Sequence, residues 1–193
     1  MYPKRIDAST EALRNDMHRL KMDCILTTSV IRNHLENLIA LERGFGPATA
    51  LFSYGQSFRA SGDAPSWLVL GTKKECYKNA AHYVLNRQDV SYAEGYAVDV
   101  GLPIPIEHAW LIDDAGMVID PTWPDSSDHL YFGVVFRKSF VSEMMTKASE
   151  WSGVLADHLL MRHQLGTSEA FQGALEKRFR GNVIDEDAFV PAR

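Results

Sequence analysis

Between Ser91 and Phe136 the apolar side chains alternate with period two, while on either side they recur every three to four residues. Period two sends successive side chains to opposite faces of a pleated strand, and the longer period lines one face of a helix. A chain that reads helices, then strands, then helices, in blocks, is expected to fold as α+β, with helices set against an antiparallel sheet.

Local signals set the boundaries. Leu13, Met17 and Leu20, then Ile31, Leu35, Leu38 and Leu41, mark helix over 9–43, open to a break at Thr27-Thr28-Ser29 and ended by Gly44, Gly46 and Pro47. Residues 47–71 hold no regular period and include the short apolar run Trp67-Leu68-Val69-Leu70. Thr72-Lys73-Lys74-Glu75 has the form of a capping box, with Thr72 as N-cap, so a helix is expected over 73–86. Its stripe is Tyr77, Ala80, Ala81, Val84 and Leu85. About four strands follow as a meander: Ser91–Val100, Glu107–Ile112, Met117–Asp120 and Tyr131–Phe136. Asp113-Asp114-Ala115-Gly116 is a hairpin turn between the second and third. Phe140, Met144 and Ala148 open the C-terminal helices. A second is expected to begin at Val154 and Leu155, running on through His158, Leu159 and Arg162. A third runs from Thr167 to Arg180, closed by Gly181. The 193 residues suit one domain: a helical part over 9–71, a core over 72–136, helices over 137–181 and a loose acidic tail over 182–193.

Charge and composition exclude some functions. The formal net charge is −5, with no basic stripe to meet a phosphate backbone, so nucleic acid is not an expected partner. No window approaches the roughly 18 apolar residues of a membrane span. Met1–Asp7 has no apolar stretch behind its positive charges, and two cysteines do not make a disulfide framework, so a cytoplasmic location is expected.

One of those cysteines sits where chemistry is possible. Cys76 falls in the first turn of its helix, where unpaired N–H groups and the dipole favour a thiolate; Lys73 and Lys74 push the same way and Glu75 against it. Cys24, inside an apolar helix, reads as a small buried hydrophobe. The face of the first strand carrying Ala93, Gly95 and Ala97 is nearly bare, so the Cys76 helix is expected to lie against it. His108 begins the second strand and Asp120 ends the third. Placing them directly opposite needs 110 facing 118 and 112 facing 116, with a three-residue loop at Asp113–Ala115 and Gly116 in the left-handed region. Asp120 then fixes the imidazole tautomer, and the other ring nitrogen serves the thiol. Pro121 ends the strand. A metal site would need a fourth ligand at metal-like spacing, which is missing, so no metal and no cofactor are expected. His82, His129, His158 and His163 read as surface or helix-face residues. Tyr92, Tyr96, Trp110 and Trp123 read as core or groove lining.

Glu75-Cys76-Tyr77-Lys78-Asn79-Ala80, Glu94-Gly95-Tyr96, Glu107-His108-Ala109-Trp110 and Asp120-Pro121-Thr122-Trp123 together resemble the core of the transglutaminase-like superfamily, with papain-like Cys-His-Asp chemistry. The resemblance spans Lys74 to Phe136. It implies Cys76 as nucleophile, His108 as base and Asp120 as the orienting acid. The family often has glycine two residues before the cysteine, where this chain has Lys74. The expected activity is a hydrolase or acyl transferase working on an amide bond through a thioester, as protease, amidase, glutamine deamidase or transamidase. The expected substrate is a peptide, protein or acyl amide, with Gln56, Trp110 and Trp123 as substrate-binding candidates. The Cys76 N–H is one oxyanion donor, and Gln56, Tyr54 and Trp67 compete for the second place. A non-catalytic binding or regulatory protein on the same fold is the alternative.

Overall fold

A computed structural model describes residues 29–60 and 64–179. The expected helix around Leu13, Met17 and Leu20, the residue Cys24, the Gly181 stop and the tail lie outside the described residues. The fold is α+β: five antiparallel strands in the order β1-β5-β2-β3-β4, flanked by helices. In chain order the elements are α1 (29–39), α2 (Pro47–Tyr54), β1 (Gln56–Arg59), α3 (Cys76–Asn86), β2 (Val90–Asp99), β3 (Ile106–Asp113), β4 (Val118–Ile119), β5 (His129–Phe136), α4 (Lys138–Lys147), α5 (His158–His163) and α6 (Ser168–Ala174). No helix among the described residues is long and apolar enough to cross a membrane.

Two elements are absent from the sequence reading. Pro47 starts α2 rather than closing the preceding helix, because proline at the first helical position gives up an N–H that has no partner there anyway. β1 is four residues with one buried side chain, too short for its alternation to show. Its partner is β5, and β5 also pairs with β2, so the sheet is not a simple meander: β5 inserts between β1 and β2. At the other edge Ala60 bridges Val118 in parallel, which curls the sheet until its first and last strands meet.

The curl produces an inside and an outside. Inside lie Phe58, Ala93, Ala97, Trp110, Ile112, Val118, Tyr131 and Val135. Outside, Tyr92, Tyr96, Val98, Ala109, Leu111, Phe132, Val134 and Phe136 meet the helices, including Ile31, Leu35, Leu51, Ala80, Ala81 and Val84. The bare face of β2 therefore faces inward, and α3 lies on the opposite, tyrosine-bearing face. The reason is volume. Ala93 pairs with Trp110 and Gly95 with His108, so the small residues make room for large side chains on the neighbouring strand rather than for a helix backbone. Gly95 and Gly133 face each other, and a Cβ on either would run into the backbone of the other strand. Only glycine permits that approach.

The α3 helix begins at Cys76, with Glu75 as N-cap and no side-chain capping bond, so the expected capping box does not form. Residues 72–75 make a turn instead, closed by Glu75 N–H donating to Thr72 O at 3.2 Å, with Lys74 in the left-handed region at φ +69°. Leu85 of the expected stripe is exposed. Farther on, Val154 and Leu155 lie in a bend outside any helix. Asp157 caps a short α5 by accepting from Leu159 and Leu160 N–H, and Thr167 caps α6 by accepting from Ala170 N–H. The helix expected over Thr167–Arg180 stops at Ala174, where the chain bridges Leu175 to Phe136.

Candidate functional site

His108 and Asp120 meet across the β3–β4 hairpin. The register pairs Leu111 with Ile119 and Ile112 with Val118, two residues away from the expected pairing of 110 with 118. The loop is Asp114–Gly116, one residue later than expected. Asp113 N–H donates to Met117 O, Gly116 N–H donates to Asp113 O, and Gly116 sits at φ +84°. A shift of two residues preserves which face each side chain points to, so Asp120 still shares the inner face with His108 and reaches it diagonally.

The pair is buried and fully hydrogen-bonded on the carboxylate side. His108 Nε2 lies 2.7 Å from Asp120 Oδ2, with both side chains almost without solvent exposure. Tyr131 donates its hydroxyl to the same oxygen at 2.8 Å. Asp120 Oδ1 accepts from Thr122 N–H at 2.7 Å and Trp123 N–H at 3.0 Å. Burial alone would raise the Asp120 carboxyl. The hydrogen bond and charge of His108, with the Thr122 and Trp123 N–H groups, outweigh it and hold the carboxyl below its ordinary range. An ionised Asp120 accepts only, so the neutral imidazole carries its proton on Nε2 and leaves Nδ1 as the basic nitrogen. Trp123 stacks flat on the ring, 3.8 Å between centroids and 9° between planes, and His129 packs tilted on Trp123 at 4.5 Å between centroids.

Cys76 arrives from the helix side. The α3 N-terminus is pinned beside the Asp120 turn: Asn79 Nδ2 donates to Thr122 Oγ1 at 3.0 Å and to Thr72 O at 2.8 Å, and Gly71 N–H donates to Pro121 O at 2.7 Å. The buried thiol shares the outer core with Ala109, the residue after His108, whose N–H approaches it. Burial pushes the thiol above its ordinary value. The Ala109 and Tyr77 N–H groups pull it down, and the Glu94 and Asp120 carboxylates raise it again. The expected low-pKa thiolate is thus not what the fold alone provides, because desolvation exceeds the help of the helix N-terminus. No hydrogen bond among the described residues joins Cys76 Sγ to the His108 ring.

The remaining candidates fall in several places. Gln56 shares a row and the inner face with His108 through Gly133 and Gly95, on β1, while Cys76 belongs to the outer core. Trp110 is fully buried under His108 as part of the inner core, out of reach of a substrate. Trp123 is partly exposed at the site. Tyr54 is spent on Ser168 and Gln172, and Trp67 packs on Tyr83 and under the Arg87 guanidinium.

Two participants were missed by sequence reasoning. Tyr131 shares the inner face with the Asp120 carboxylate, which a full strand alignment would have signalled. Glu94, fully buried on β2, accepts from Val154 N–H at 2.6 Å and Leu155 N–H at 2.8 Å. It thereby fixes one wall of a cleft of about 140 Å³ lined by Tyr77, Tyr96, Glu107, Leu155 and His158. No group of metal-ligating side chains occurs among the described residues. No family model matches this chain, and neither does any curated protein or solved structure.

Proposed function

We propose that Cys76, His108 and Asp120 form the catalytic centre of a cysteine-dependent hydrolase or acyl transferase that breaks an amide bond through a thioester. The observation that carries this reading is the buried 2.7 Å bond from His108 Nε2 to Asp120 Oδ2, which leaves Nδ1 as the base on the strand that also touches the thiol. Because burial keeps the thiol protonated, His108 Nδ1 takes its proton as Sγ attacks the carbonyl carbon, and the carbonyl π pair moves to oxygen. Collapse of that intermediate restores the C=O bond, breaks the C–N bond and returns the proton from Nδ1 to the leaving amine. Water then attacks the thioester to give a carboxylic acid, or an amine attacks to give a new amide. The resemblance to the transglutaminase-like core points to the same chemistry.

A non-catalytic binding protein is the second reading, favoured by the burial of Cys76 and the missing Sγ–imidazole hydrogen bond. Intact-mass analysis after mixing with p-nitrophenyl acetate, and then with a glutamine-containing peptide amide, separates the two. Catalysis predicts an acyl adduct on Cys76 from the ester and cleavage of the amide, with ammonia or a peptide amine as the leaving group, both lost in Cys76→Ser. Absence of any adduct at neutral pH would sink the catalytic reading.

A further inference from the structure

A tetrahedral intermediate at Cys76 needs two hydrogen-bond donors for its oxyanion. Of the side chains singled out in the sequence, Tyr54 is engaged with Ser168 and Gln172, Trp67 packs on Tyr83, and Gln56 is on the inner face of β1 while Cys76 belongs to the outer core. The sheet supplies a backbone candidate. In an antiparallel strand, N–H and C=O of one residue point to the same neighbour, and the next residue points to the other. Asp113 N–H donates to Met117 O, so Asp113, Leu111 and Ala109 all direct their backbone groups to the β4 side. The β2–β3 register runs unbroken from Asp113 to Ile106, so no bulge reverses that direction.

β4 stops at Ile119. Continuing its register puts Pro121 opposite Ala109. Pro121 has no N–H to donate, and its carbonyl accepts from Gly71 N–H. Ala109 is fully buried, its N–H is directed away from β2, and no turn or loop residue on the Pro121 side accepts from it among the described residues. Such orphans are rare in folded proteins. This one faces the thiol and favours its ionised form. The first bond within α3 is Asn79 N–H to Glu75 O, so the Cys76 N–H at the helix start is also without a partner among the described residues.

We propose that the backbone N–H of Ala109, left without a ladder partner where β4 ends at Pro121, is the second oxyanion donor beside the Cys76 N–H. This rests on the reading of Cys76 as the acyl-accepting nucleophile. When Sγ bonds to the carbonyl carbon, negative charge moves from sulfur to an oxygen two bonds away. A donor already aimed at the sulfur needs little reorientation to follow it. His108 and Ala109 then divide the work between neighbouring residues: the side chain of one moves the proton, and the main chain of the other holds the charge.

The test removes that single hydrogen. Replacing Ala109 with lactic acid by nonsense suppression turns its amide into an ester, and Cys76 is then challenged with two probes. Acylation by p-nitrophenyl acetate passes through an oxyanion; alkylation by iodoacetamide does not. The expected result is a fall of roughly 100- to 1,000-fold in the acylation rate, with a far smaller fall in alkylation, which loses only the help that the N–H gives to the ionised thiol. Equal falls in both rates, or no change in acylation, overturn the assignment. Should the ester variant not fold, the carbonyl stretch of ¹³C-acetyl-Cys76 in the native protein decides. A band shifted below that of the thioester in water supports two donors, and a band at the solution frequency overturns them. A native Cys76 that alkylates but never acylates removes the catalytic reading itself, and the oxyanion role with it.

Discussion

Lys74 carries the clearest local strain near the site. It adopts φ +69° in the turn that delivers Cys76, where a Cβ crowds the carbonyl, and the resembling family often has glycine at this place. Lys74→Gly should raise stability by about 1 kcal/mol, measured by urea unfolding, without changing the reactivity of Cys76. Unchanged or lower stability would mean that the turn is not strained. Glu94 makes a second residue-level prediction. Burial pushes its carboxyl from 4.5 up to about 7 against the pull of the Val154 and Leu155 N–H groups. A carboxyl raised on folding is protonated in both states below about 4.5. It is charged only in the unfolded state between there and 7, and charged in both above 7. Its contribution to stability therefore falls as pH rises through that window, by about 3 kcal/mol at 1.36 kcal/mol per unit. Glu94→Gln should cost most at pH 4.5, with the gap to the native protein closing toward pH 7. A gap that does not vary with pH would rule out titration of Glu94 in that range.

At the scale of elements, β2 and β5 approach each other closely where Gly95 meets Gly133. Gly133→Ala would drive a Cβ into Glu94 O and the edge of Trp110, so a loss of more than about 2 kcal/mol is expected. Trp110→Ala leaves a cavity beneath His108, with a cost of about 3–5 kcal/mol. Chemical denaturation reads both, and a loss under 1 kcal/mol at Gly133 would mean that the strands can part freely. These elements also show what the sequence can express. The periods of α3, β2, β3 and β5 were legible because each buries a full face. α2 and β1 were not, since Pro47 reads equally as a stop or a start and β1 is only four residues long. The bare face of Ala93, Gly95 and Ala97 was seen correctly as space but assigned to the wrong occupant. Sequence gives the volume of a face and not the curvature that decides what fills it. The hairpin register slipped by two for a related reason: Asp113 and Asp114 can each open a turn around Gly116, and the faces come out the same either way.

For the whole molecule, the site is a meeting of two layers. The inner face holds the His108–Asp120 pair under Trp123, and the outer layer brings the thiol on α3. The Asn79–Thr122 and Gly71–Pro121 bonds fasten one layer to the other. His108 and Asp120 were legible as partners because they sit on one hairpin. The state of Cys76 was not, because its surroundings come from elements far apart in sequence, Glu94 and Ala109 among them. The central claim is that the imidazole on one layer serves the sulfur on the other. The most direct measurement is the iodoacetamide alkylation rate of Cys76 at neutral pH, followed by peptide mass in the native protein and in His108→Ala. The account predicts a fall of about 100-fold when the imidazole is removed. Equal rates in the two proteins would contradict it.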